Sequence, residues 1–152
     1  MTAHEGPALR GAGGALLPWM RPLGGTGLAV SAGAAGGGPL ASMPELYGHA
    51  VSAADGIDTV AAVLASPIRT IDTSNGYSDG ESERRIGAAI AAAGGLAPDA
   101  LVITKVDARG ADYSGDRVRA SVDESRSRLG LDHLPLVHLH DPEDFDFADL
   151  TA

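Results

Sequence analysis

Three short apolar runs each end in a polar side chain, and their spacing is nearly constant. Ile68-Arg69-Thr70-Ile71-Asp72 closes on a carboxylate, Leu101-Val102-Ile103-Thr104-Lys105 on an ammonium, and Leu136-Val137-His138-Leu139-His140 on an imidazole. The end residues fall at 72, 105 and 140, steps of 33 and 35 residues. Each step has the length of a strand, a returning helix and the next strand, the arrangement that builds parallel sheets with right-handed crossovers. Side chains alternate faces along a strand. Asp72 therefore shares a face with Ile68 and Thr70, Lys105 with Leu101 and Ile103, and His140 with Leu136 and His138. If those faces line a parallel barrel, all three polar groups emerge at the rim formed by the strand C-terminal ends, where barrel enzymes carry their chemistry. Asn75-Gly76 supplies a turn directly after the first run and presents Tyr77 near the same rim.

The intervening segments read as helices. Ser52 is placed to cap a helix running to about Ala65, with Ile57, Val60, Ala61 and Leu64 facing the sheet, and Pro67 ends it. Gly80-Glu81-Ser82-Glu83 opens a second helix with acids in its first turn, as the helix dipole favours. Its stripe is Ile86, Ala89, Ile90 and Ala93, and Gly94-Gly95 stops it. A polar loop over 107–112 leads to a third helix from about Gly115 to Leu129, with Val118, Val122 and Leu129 as its buried face and Arg126 inside the same stripe. Before these units, Gly24-Gly25 can supply a turn within Arg21–Ser31, and Gly33-Ala34-Ala35-Gly36-Gly37-Gly38, within Ala32–Leu40, is a poor strand former. Met43–Val51 reads as loop, with Tyr47 an ordinary loop aromatic. Residues 1–20 read as a flexible extension, and the tail from Asp144 to Ala152 is acidic and unpatterned.

Composition excludes several classes of function. A formal net charge of −9 argues against binding a nucleic-acid backbone, which calls for clustered basic residues. The absence of cysteine removes disulfides, thiol nucleophiles and cysteine-ligated metal from consideration, and no metal site is read. No apolar run approaches the ~20 residues of a membrane span, and no secretory signal is read, so a cytoplasmic location is the default expectation. A full eight-unit barrel needs ~250 residues. A chain of 152 has room for about four units.

Asp72-Thr73-Ser74-Asn75-Gly76-Tyr77 followed by Glu81-Ser82-Glu83-Arg84-Arg85-Ile86-Gly87 resembles the aldo/keto reductase family. Thr104-Lys105, Arg128-Leu129-Gly130-Leu131-Asp132 and Leu139-His140-Asp141-Pro142 share the resemblance, which runs from about Arg21 to Asp144. The Asn-Gly-Tyr and His-Asp-Pro details look most like the branch that includes bacterial aldose dehydrogenases. The chain departs from the pattern at Ser78, where glycine is usual, at Arg126, where leucine is usual, and at Pro135, usually acidic. The resemblance implies an α/β fold: a partial (β/α)8 TIM barrel of about four parallel strands with helices, occupying 21–152, with the N-terminal hairpin plugging its floor. It implies NADP(H)- or NAD(H)-dependent oxidoreduction of a small carbonyl or aldose substrate. It also implies a catalytic tetrad of Asp72, Tyr77, Lys105 and His140; Gly36, Gly37 and Gly38, which read either as room for close cofactor approach or as simple low complexity, and Asp72 are the candidate cofactor neighbours.

The roles make physical sense. A carbonyl oxygen gaining negative charge needs a proton donor, and a phenol such as Tyr77 holds its proton up to pH ~10 unless a cation stabilises the phenolate. Lys105 is that cation, Asp72 keeps it charged, and His140 can donate a hydrogen bond to the substrate oxygen. Each residue alone has a plainer reading: Asp72 as a turn cap, Tyr77 as a surface tyrosine, Lys105 as an edge charge, His138 as a core histidine. Asn75, Gly76 and Glu83 are weaker site candidates, and Glu83 reads as structural. The second expectation is a catalytically inactive fragment or pseudoenzyme, at most a binding or interaction module, because the family draws most cofactor contacts from strands five to eight. Unpaired first and fourth strands and an uncovered inner apolar face would then favour self-association through the exposed edges.

Overall fold

The computed structural model describes residues 17–107, 112 and 114–142. It opens on a hairpin in which β1 (Met20–Pro22) pairs antiparallel with β2 (Ala29–Ser31). Gly24 and Gly27 take positive φ in the connection, at +52° and +79°, a conformation that costs glycine nothing. Met20, inside the expected 1–20 extension, is buried in β1, and residues 1–16 of that extension lie outside the described residues. Ser31 anchors the hairpin to the sheet: its N–H donates to Thr70 Oγ1 at 2.9 Å, and its Oγ accepts from Arg69 N at 3.0 Å. Those bonds fall at the N-terminal end of the second barrel strand, where a floor plug belongs.

The main sheet contains β3 (Ala34–Gly36), β4 (Thr70–Asp72), β5 (Leu101–Val106) and β6 (Val137–Leu139), parallel and in that order. This is the partial TIM-barrel arrangement that the resemblance implied. β3 is short and largely exposed, since Ala-Ala-Gly has little side chain to pack. The register is staggered. Gly36 pairs with Asp72 and Asp72 with Ile103, whereas Lys105 pairs with His138. Each rim residue from β4 to β6 therefore stands one pleat repeat, about 7 Å, beyond its neighbour's level.

Helices pack on the face opposite the rim groups. They are α2 (Ala53–Ala65), α3 (Glu81–Ala92) and α4 (Gly115–Leu129), preceded by a single turn, α1 (Pro44–Tyr47). Ser52 caps α2 by accepting from Asp55 N at 3.1 Å, and Ser114 caps α4 by accepting from Arg117 N at 3.3 Å. α1 stands where the sequence reads as loop, because Pro44 presets φ at its first position. Ile71 and Val102, on the strand face opposite Asp72 and Lys105, join Val60 of α2, Ile86, Ala89 and Ile90 of α3, and Leu129 of α4 in one core.

Several burial expectations are corrected. Ala61 and Ala93 are exposed, one beyond the edge of the α2 stripe and the other the C-cap of α3. His138 is exposed rather than a core histidine, because β6 is the edge strand of the sheet among the described residues. In α4 the buried residues are Ser121, Ser125 and Leu129, while Val118 and Val122 are only half-buried. Arg126 lies outside, where it pairs with Asp123 at 3.4 Å. α4 sits so close to α3 that small side chains suit the contact. A Cβ added to Gly87 would fall 2.1 Å from the Arg128 carbonyl oxygen. The inner sheet face also exposes less apolar surface than expected. Leu101 and Ile103 are buried, and the exposed large apolar residues among those described, Trp19, Leu46 and Tyr47, all lie off this sheet.

Gly87→Ala should therefore destabilise the chain by about 3 kcal/mol, since the clash is with backbone that cannot rotate aside. Urea unfolding midpoints check this. A variant as stable as the parent would mean that the two helices sit farther apart.

Candidate active site

The site begins where β4 ends. The ladder to β5 continues past Asp72, with Thr73 N donating to Ile103 O at 2.8 Å and Asn75 N to Lys105 O at 3.2 Å. The chain then turns, and Tyr77 N donates to Ser74 O at 3.4 Å. Ser78, Asp79 and Gly80 follow with φ of +46°, +51° and +82°. Three successive left-handed residues redirect the chain into α3 and leave Tyr77 facing back over the strand ends. This gives the physical reason for a glycine preference at position 78, which serine meets at a cost of roughly 1 kcal/mol.

Lys105, the chain's one lysine, is the hub. Its side chain is 14% exposed, and its Nζ donates to Asp72 Oδ1 at 2.6 Å and to Thr73 O at 2.8 Å. It stands 3.3 Å from the Tyr77 hydroxyl and 5.0 Å from the centre of the Tyr77 ring. The staggered register makes the first contact possible: Asp72 is level with Ile103, and the long lysine side chain reaches back one pleat to meet it. Burial acts to lower the pKa of the ammonium, but the hydrogen bond and charge of Asp72, aided by Tyr77, outweigh it and hold the pKa above the ordinary lysine value.

His140 follows β6 and is held by its N–H on Val106 O at 3.1 Å. Its ring meets that of Tyr77 edge-on at 5.5 Å between centroids. The structure thus brings Asp72, Tyr77, Lys105 and His140 together. It also adds two residues that the sequence reading missed. Asp107 Oδ1 is in hydrogen-bond contact with His140 Nδ1. Asp107 Oδ2 accepts from Ser74 Oγ at 2.6 Å and from Gly76 N at 2.7 Å. Ser74 Oγ in turn lies 3.1 Å from His140 Nδ1. Parity could have found Asp107, because it stands two residues beyond Lys105 on the same strand face. Reading it as the start of a loop hid this.

The three glycines proposed as cofactor neighbours differ. Gly36 lies at the open end of β3, level with Asp72, and a Cβ there would meet nothing within 4 Å. At Gly37 the space is taken by the protein itself: an added Cβ would lie 2.7 Å from Ser82 Oγ and 2.9 Å from Thr73 Oγ1. Gly38 is covered by the Tyr47 hydroxyl, 2.5 Å from the corresponding point.

A second layer holds the tyrosine turn. Asn75 donates through Nδ2 to Ser121 O at 3.2 Å and to Glu124 Oε2 at 3.1 Å. Glu83, fully buried, accepts from Thr104 Oγ1 at 2.6 Å and from Arg128 Nη1 at 3.3 Å, and Arg128 also donates to Asn75 O at 3.2 Å. Glu83 is therefore structural, as its place at the helix start suggested.

Two measurements probe this geometry. Ser78→Gly should stabilise the fold by about 1 kcal/mol, visible as a raised denaturant midpoint; a fall would mean that the serine side chain makes a stabilising contact. The raised pKa of Lys105 contributes stability that is complete below the unfolded lysine value of about 10.4 and is lost as pH rises through the folded value. Lys105→Met should then flatten the alkaline fall in stability above that pH, and an unchanged slope would contradict the ion pair.

The aldo/keto reductase family model matches residues 37–146. The chain is 39% identical over 126 residues to L-galactose dehydrogenase of Arabidopsis thaliana, covering 82% of this chain and 38% of that protein. The structure is similar to the holo form of an aldo-keto reductase from Bacillus halodurans (TM-score 0.63, 25% identity, 82% of this chain and 42% of the other). It is also similar to a Bombyx mori aldo-keto reductase in complex with NADP (TM-score 0.61, 27% identity, 78% and 36%). The chain spans well under half the length of each. With its four parallel strands and the match running from the first strand end past His140, this chain belongs to the aldo/keto reductase family.

Proposed function

We propose that this chain carries the proton-handling side of a nicotinamide-dependent oxidoreductase acting on a carbonyl or aldose substrate. The observation that supports the reading is the single contact set around Lys105, which joins Asp72 and the Tyr77 hydroxyl in one place. When bound, the nicotinamide supplies or accepts the hydride. Two features of the chain fit it: the open space at Gly36 beside Asp72, and a phenol and imidazole adjoining one rim.

The protein's own contribution is proton transfer and orientation. Tyr77 gives its proton to the substrate oxygen in reduction and takes it back in oxidation. Lys105 stabilises the phenolate left behind, and Asp72 keeps Lys105 charged in a partly dry site. His140 positions the reacting oxygen. L-galactose dehydrogenase among the relatives favours an aldose, and the NADP complex among the neighbours favours NADP(H) over NAD(H).

NADPH fluorescence titration followed by turnover of an aldose tests the reading. We expect saturable binding, and Tyr77→Phe should lower turnover by about 100-fold or more while leaving binding unchanged. A flat titration would favour the non-catalytic binding-module reading, and full activity in Tyr77→Phe would remove the tyrosine from the mechanism.

A further inference from the structure

We infer that Asp107 is a positioning residue that sets the proton on His140. It holds the ring with Nδ1 protonated and Nε2 as the nitrogen offered to a substrate hydroxyl. The argument is a count of protons. The Ser74 hydroxyl has one, and it is directed to Asp107 Oδ2 at 2.6 Å. Gly76 N–H points at the same oxygen from 2.7 Å. The other carboxylate oxygen, Oδ1, faces His140 Nδ1. An ionised carboxylate only accepts, so the hydrogen in that contact belongs to the ring. A neutral imidazole carries one N–H. With it committed at Nδ1, Nε2 is an acceptor.

This changes what His140 does. A neutral ring in this form cannot donate to a carbonyl oxygen, but it can accept from an alcohol or sugar hydroxyl. To meet the carbonyl form as a donor it must gain a second proton and become imidazolium, a charge that Asp107 is placed to support. Among the described residues, the other charged and titratable groups around the ring include Asp141, with Oδ1 3.8 Å from Nε2, and Tyr77, edge-on from the turn, backed by the Lys105–Asp72 pair. Asp107 also reaches the tyrosine turn through Gly76. A Cβ on Gly76 would stand 2.9 Å from the Asp107 carboxyl group, so that close approach depends on glycine. The assignment of Nε2 to a substrate hydroxyl rests on the oxidoreductase reading above, whereas the tautomer does not.

The test is nitrogen–proton correlation spectroscopy of the imidazoles in the full chain, with His140 assigned among the five histidines by its loss in His140→Gln. At a pH where the ring is neutral, the Nδ1–H form should exceed the Nε2–H form by about ten-fold or more, and Asp107→Asn should erase that excess. A wild-type ring in the Nε2–H form overturns the proposal outright, even if the variant fails to fold. An Nδ1–H excess that persists in a folded Asp107→Asn variant overturns it as well. The spectrum needs neither cofactor nor turnover, so its outcome is separable from that of the Tyr77→Phe experiment.

Discussion

An ammonium cannot be taken out of water without compensation, and the site is arranged around meeting that demand for Lys105. Three oxygens provide it: a carboxylate, a backbone carbonyl and a phenol. They come from Asp72, Thr73 and Tyr77, within one six-residue segment, while the ammonium comes from the neighbouring strand. The contact therefore exists only if β4 and β5 are parallel and in one register. A slip of one residue would turn Lys105 to the helix side and leave it unpaired in the core.

The register is protected by polar bonds on the far side of the sheet. Thr104, adjacent to Lys105 but on the opposite face, donates to the buried Glu83 of α3. Glu83 also holds Arg128 of α4, and Arg128 reaches the backbone of Asn75 in the tyrosine turn. Removing one member of such a buried set leaves its partners without compensation, which is why these contacts can specify geometry more than they add stability. Gly80 and Gly87 belong to the same arrangement. Each leaves room for part of Arg128, a guanidinium at Gly80 and a carbonyl at Gly87.

Much of this was legible in the chain because strand parity is a property of short range. Asp72, Lys105 and His140 could each be assigned a strand face from their neighbours alone, and the steps of 33 and 35 residues fitted one strand–helix unit each. Helix α2 was legible down to its Ser52 cap. The misreadings share a cause. Val118 and Val122 looked like the buried face of α4, yet Ser121 and Ser125 occupy it, because the closeness of α3 favours small side chains over apolar ones there. His138 looked like a core residue, but burial on the inner face depends on what stands opposite it. Asp107 looked like loop, although it is the partner of His140.

The sequence by itself determined the alternation of strands and helices, the faces of the polar groups and the family to which they point, since these follow from local spacing and from motifs. Only the tertiary structure decided the stagger that lets Lys105 reach Asp72, the closeness of α3 to α4, and the meeting of Asp107 with His140. Those depend on distances between segments more than thirty residues apart, and a side chain's neighbours across such a gap are set by packing, which no local pattern records.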